Sequence, residues 1–203
     1  MFLPPPPVGV NNSSYIGYMW PSTTKAAIQF RVPKFPWKKP LSASEKANHT
    51  VLAIWAGLGS PSSPDIEQIG IYDVVKNGKV NWQCVDAFWP ATDEDCPGSG
   101  LISPGDEIFA NVARTSGYHY TMYLRDAGPH HKWIWKISKY YPHIEGHAEA
   151  IAEDTQYPGY SWQPLTEFSP IGAYTSGNPV QEWNIGSWGF AKKNSSNHIT
   201  IYG

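Results

Sequence analysis

Charge is scarce in this chain. Lys, Arg, Asp and Glu make up 16% of its 203 residues, against roughly 25% in an average soluble domain. A basic surplus is also missing: 15 Lys and Arg stand against 17 Asp and Glu, a formal net charge of −2, with a pI of about 6.4. Nucleic-acid binders carry a basic stripe and a pI above roughly 9, so that class is excluded. No stretch approaches the roughly 18 consecutive apolar residues of a membrane-spanning helix, and no membrane association is expected. The start, MFLPPPPVGV, has neither a basic segment nor an apolar one behind it, so any secretion signal is expected to have been removed already. Cysteine is limited to Cys84 and Cys96. Twelve positions apart, they either close one loop in an oxidising compartment or remain two thiols, and spacing alone leaves both open.

Aromatic rings and chain breakers are abundant instead. Ten Trp, 12 Tyr and 7 Phe give 14% aromatics, which with so few charges favours sheet surfaces over solvated helices. Eighteen Gly and 19 Pro interrupt the chain too often for long helices, coiled coils or helical solenoids. The composition is all-β. A chain of this length buries roughly 70% of its unfolded surface, enough for one core, so a single domain is expected over 13–203. Residues 1–12 contain four consecutive prolines and form an extended arm in this reading.

Short strands bounded by Gly, Pro, Ser or Asn follow one another at 15–20, 26–33, 50–58, 66–75, 79–90, 106–114, 118–126 and 131–138. This is the rhythm of a sandwich or barrel. Asn77-Gly78 suits a type I′ turn and sets 66–75 beside 79–90 as a hairpin. Alternation then puts Ile66, Gln68, Gly70 and Tyr72 on one face and Glu67, Ile69, Ile71 and Asp73 on the other. In GHAEAIAEDT, strand and helix readings compete. The shortness of the segment, Gly146, and Tyr157-Pro158-Gly159 favour a strand, with Glu149, Ile151 and Glu153 on one side and Ala148, Ala150 and Ala152 on the other.

Several chemistries lack their motifs. His143 and His147 are four apart, but Ile144 stands where a zincin needs Glu, and Pro142 and Gly146 oppose the helix. They read as ordinary loop histidines, and no metal site is expected. His130-His131, beside Gly128-Pro129, reads as a turn. There is no Gly-x-Ser-x-Gly elbow and no phosphate-cradling glycine loop. Carboxylate chemistry remains. One Glu can take a proton from water while a Gln amide donates to the developing oxyanion. The competing reading is that both residues merely satisfy strand edges. Some of the tryptophans would similarly serve as a sugar-stacking platform and most as core, and the sequence does not sort them.

Six segments in order resemble the glutamic peptidases, the eqolisins. SSYIGY (13–18) resembles that family's opening strand, FRVPK (30–34) the next, and IWAGLG (54–59) its Trp-x-Gly strand. IEQIG (66–70) is similar to the strand with the catalytic glutamine, ISPGDEI (102–108) to the Pro-Gly-Asp turn, and AEAIAE (148–153) to the strand with the catalytic glutamate. The resemblance runs from residue 13 to about 175, and residues 179–203 match poorly. It implies a concanavalin-like β-sandwich of two antiparallel sheets and an acid-acting endopeptidase, secreted, with no cofactor. Protein or peptide substrates would be its partners, and the chain is expected to be a monomer. It puts the catalytic pair at Gln68 and Glu149, with Trp55 and Glu153 as substrate-binding residues. Those two catalytic residues are expected on neighbouring strands, sharing a water. A reference carboxyl pKa near 4.3 suits acid operation, since Glu149 must act as base and then as acid. One departure stands out: the family commonly continues Trp-x-Gly-Ile-Asp-Gly, whereas Leu58 is followed here by Gly59 and Ser60. The missing carboxylate is expected to change catalytic efficiency and pH optimum more than reaction type. The alternative, from another class, is a non-catalytic concanavalin-like module that binds glycans or peptides.

Overall fold

Alternating side chains between frequent chain breakers leave the backbone only one economical way to satisfy its N–H and C=O groups, which is to pair laterally. The computed structural model describes residues 15–20, 23–33, 49–59, 65–76, 79–97, 102–129, 132–144, 146–154, 171–175, 181–184, 190–195 and 197–202. Among these there is no helix. The strands are β1 (Tyr15–Trp20), β2 (Lys25–Arg31), β3 (His49–Gly59), β4 (Ile66–Lys76), β5 (Lys79–Trp89), β6 (Thr92–Asp95), β7 (Glu107–Ser116), β8 (His119–Asp126), β9 (Trp133–Tyr140), β10 (His147–Asp154), β11 (Ile171–Thr175), β12 (Gln181–Asn184), β13 (Phe190–Lys193) and β14 (His198–Tyr202). They form two antiparallel sheets, β12-β1-β10-β3-β4-β5-β6 and β13-β14-β11-β2-β7-β8-β9.

The core lies between the sheets, as alternation requires. The first sheet contributes Tyr18, Trp20, Leu52, Ile54, Leu58, Ile69, Ile71, Trp82 and Phe88, and the second Ile28, Phe30, Ile108, Val112, Met122, Leu124, Ile199 and Ile201. Ala148, Ala150 and Ala152 of β10 face this core, so strand is the right reading of that segment. Small side chains there let the facing sheet approach closely. Polar groups in the interior are tied across the gap: Trp135 Nε1 donates to Asp86 Oδ1 at 3.1 Å.

Two local features fix the strands that carry the site. The β3–β4 register shifts between Thr50 and Ala53, a bulge that takes an N–H out of the ladder. The Leu52 N–H donates instead to Asp73 Oδ1 at 2.7 Å, and both residues are fully buried. β4 and β5 pair from Ile66↔Trp89 to Lys76↔Lys79, the expected hairpin, although Asn77 and Gly78 themselves lie outside the described residues. Cys84 and Cys96 are bonded, which closes the question that spacing left open. The proline arm also lies outside the described residues.

Candidate active site

The face of the first sheet turned away from the core carries the candidate residues. Strand partners share a face, so the pairings line up rows across the sheet. Met19, Glu149, Gly57, Gln68 and Ala87 form one row over β1, β10, β3, β4 and β5. On one side of it stand His147, Gly59, Ile66 and Trp89, and on the other Gly17, Ile151, Trp55, Gly70 and Val85. Met19, Ala53, Trp55, Ile66, Val85, Ala87 and Ile151 pack into a small apolar cluster of their own. Gln68 and Glu149 are thus polar groups set into an apolar wall.

Their strands are not neighbours, which corrects the expectation: β3 runs between β4 and β10. Two strand spacings put the Cα atoms roughly 10 Å apart. The residue between them is Gly57, which has no side chain to fill the gap. A Cβ at Gly57 would lie 2.9 Å from Trp55 Cζ3 and 3.1 Å from Ile66 Cδ1, so the indole edge already occupies the floor of the gap. A water held by hydrogen bonds of about 2.8 Å on each side spans roughly 5.6 Å. Two side chains of this length leaning over a glycine can hold one.

Burial sharpens the chemistry. Gln68 is 0% exposed and Glu149 1%. Among the described residues neither Nε2 nor Oε1 of Gln68 has a hydrogen-bond partner, whereas a structural glutamine at a strand edge would be bonded, because leaving a buried amide unpaired costs about 1–3 kcal/mol. An unused donor and acceptor facing a carboxyl is the arrangement of a group kept for a ligand. Glu149 Oε1 leans toward Gly59, where a Cβ would come within 2.9 Å of it. A side chain at position 59 would therefore meet the carboxyl directly.

Trp55 and Glu153 are both fully buried. The indole Nε1 donates to Glu153 Oε2 at 2.9 Å, so the carboxyl fixes the ring whose other edge reaches Gly57. Gly70, opposite Trp55, is required: a Cβ there would sit 2.6 Å from Trp55 Cα and Cβ. Farther along the face, Tyr72 Oη donates to Gln83 Oε1 at 2.9 Å. Three residues of the face escaped sequence reasoning: Met19 beside Glu149, His147 two positions before it, and Trp89 beyond Ile66. The alternation that selected Glu149 also selects His147, and the hairpin register gives Trp89. His143 belongs to a loop, with Nδ1 3.1 Å from Asp65 Oδ2.

Known proteins share this fold. The chain matches the model of the peptidase A4 family over residues 16–180 and belongs to that family, the eqolisins. It is accordingly a hydrolase of the glutamic endopeptidase class. No curated protein sequence matches it significantly. Its fold is similar to that of scytalido-glutamic peptidase with a peptide-based transition-state analogue, at 16% identity and a TM-score of 0.67 over 95% of this chain and 99% of that one. SCP-B, an eqolisin in complex with the tripeptide Ala-Ile-His, gives 16% and 0.66 over the same shares. Aspergilloglutamic peptidase from Aspergillus niger gives 18% and 0.56 over 76% of this chain and 99% of its own.

Proposed function

We propose that this chain is a secreted, monomeric endopeptidase that hydrolyses protein or peptide substrates at acid pH with Gln68 and Glu149 as its catalytic pair. The observation that carries this reading is the buried Gln68 amide, without a hydrogen-bond partner among the described residues, facing Glu149 across the side-chain-free Gly57. Glu149, ionised, takes a proton from the water in the gap as that water attacks the scissile carbonyl. The Gln68 amide donates to the oxyanion that forms. Glu149 then hands its proton to the leaving nitrogen, the C–N bond breaks, and the carboxylate is regenerated. A dry site strengthens both steps, because donors aimed at developing charge act in low dielectric.

Trp55 and Glu153 serve this reading as a braced floor. The indole edge at Gly57 keeps the water and the scissile group from sinking between the strands, and the bond to Glu153 stops the ring from turning. The resemblance gave them contact with substrate. Their full burial favours positioning.

Digestion of an unfolded protein across pH 2–7, with and without a chelator and a serine-protease inhibitor, tests the activity. Cleavage confined to acid and unaffected by either reagent is expected. Gln68→Ala should lose about 10²–10³ in kcat, as loss of one oxyanion donor does, with an unchanged thermal midpoint. A lower midpoint with intact kcat would make Gln68 structural, and no cleavage at any pH would return the chain to the class of binding modules.

A further inference from the structure

The second sheet also has a face turned away from the core, on the opposite side of the molecule from the candidate site. Strand partners assign it by the same rule: Lys25 and Arg31 on β2, Arg125 on β8, Lys136 on β9 and Lys192 on β13 all project from it, and all five are exposed. Among the described residues one carboxylate shares this face, Glu107. It accepts a hydrogen bond from Gln29 Nε2 at 2.6 Å and stands opposite Arg31. A chain with more acids than bases thus presents a face with five cations to one anion. Its acids lie elsewhere, many of them buried: Glu67, Asp73, Asp86, Asp106, Asp126, Glu149 and Glu153.

Rings lie among these cations. Tyr123 stands opposite Lys136 and two residues from Arg125 on the same strand, and packs edge-to-face with Phe109 at 6.0 Å between ring centroids. Tyr174 on β11, beside the central strand, and Tyr140 on the edge strand β9 are 54% and 60% exposed. Seven strands make this surface roughly 29 Å across, with Gln29, Thr121, Ser138 and Thr200 as hydrogen-bonding groups between rings and charges.

We propose that this face binds a carboxylated polysaccharide, a polymer of uronic acids, lying across the strands. Arg and Lys pair with the spaced carboxylates, Tyr and Phe faces take the apolar faces of the sugar rings, and the polar side chains meet hydroxyl groups. Duplex nucleic acid, the other regular polyanion, is an outcome that the test below distinguishes. A bilayer fits less well, since no apolar helix protrudes among the described residues to enter lipid. A bound polymer leaves the opposite sheet open, so the peptidase would work while held on an acidic matrix. This proposal does not depend on the identity of the catalytic pair.

Affinity electrophoresis at about pH 5, where uronates are ionised, tests it, with polygalacturonate in the gel and dextran, poly-L-glutamate, duplex DNA and phosphatidylserine vesicles as comparators. Retardation by polygalacturonate well beyond poly-L-glutamate, absent with dextran and weakened by salt, is expected. The double variant Arg125→Ser/Lys136→Ser should bind about fivefold to tenfold more weakly. Tyr123→Leu should lose about threefold to tenfold. All should keep the thermal midpoint and the proteolytic rate of the parent chain. Absence of retardation, equal retardation by poly-L-glutamate, preference for DNA or vesicles, or full binding by both variants would each overturn the assignment.

Discussion

Placing a carboxyl at position 59 restores what the family pattern carries there and tests the geometry around Glu149 in one step. A Cβ at Gly59 lies 2.9 Å from Glu149 Oε1 and 3.4 Å from its Cδ, and the clash falls on the movable end of a side chain, so Gly59→Asp can be accommodated by a small rotation of Glu149. The two carboxyl groups then sit about 4 Å apart. Two like charges at that distance repel by about 4 kcal/mol at an effective dielectric constant near 20, equivalent to roughly three pK units. They cannot both ionise over that range and must share a proton, so their titration splits into two macroscopic steps. The first proton leaves at lower pH than from Glu149 alone, because the singly ionised pair is held by the hydrogen bond between its members. The second leaves at higher pH, against the charge already present. Measured as kcat/KM against a peptide substrate, the acid limb of Gly59→Asp should therefore lie lower than that of the parent, and a second limb, set by loss of the shared proton, should appear at higher pH. Gly59→Asn, a neutral side chain of the same shape, should not produce the upper step. If Gly59→Asp and Gly59→Asn give the same profile in folded protein, Glu149 is not the group whose ionisation governs the rate, or position 59 does not touch it.

Other consequences follow from single contacts. Glu149→Gln should leave the fold intact and lower turnover by at least about 10²–10⁴, and a purified folded variant that keeps near-parental turnover would remove Glu149 from the mechanism. Trp55→Phe removes the indole donor to Glu153 Oε2 and should cost about 1–3 kcal/mol in urea unfolding, the range for leaving a buried acceptor without its donor, together with a loss in kcat. A change in KM alone, with stability preserved, would instead make Trp55 a substrate contact. Asp73→Ala leaves the buried Leu52 N–H at the bulge without its acceptor and should cost about 1–3 kcal/mol, measured the same way. Replacing both Cys84 and Cys96 by Ser opens a loop with a sequence separation of 12. The chain-entropy relation for that length gives about 3 kcal/mol, and an unchanged denaturation midpoint would contradict it.

Period-two alternation carries most of the fold, because it is a property of neighbouring residues. It is why the strands at 15–20, 66–75 and 79–90 could be read with ends within about two residues, and why Gln68 and Glu149 could each be assigned a face. The Asn-Gly turn adds one pairing, since a two-residue connection leaves β4 and β5 no other partner arrangement. Short elements with weaker patterning were missed: β6, β11, β12, β13 and β14 are four or five residues long, and strands this short are held by the sheets they join rather than by their own preference.

What the sequence by itself determined is which residue types are present and which side of its own strand each one faces. The tertiary structure decided which strands lie side by side, because lateral pairing joins segments whose separation along the chain carries no local trace. β10 lies about eighty residues beyond Gln68 in the sequence, yet it takes its place next to β3 and not next to β4. Gly57 thereby becomes the gap between Gln68 and Glu149, and Gly59 comes to lie beside Glu149 Oε1. The same holds for the outer face of the second sheet: cations on β2, β8, β9 and β13 come together only once six separate pairings have laid those strands in one sheet.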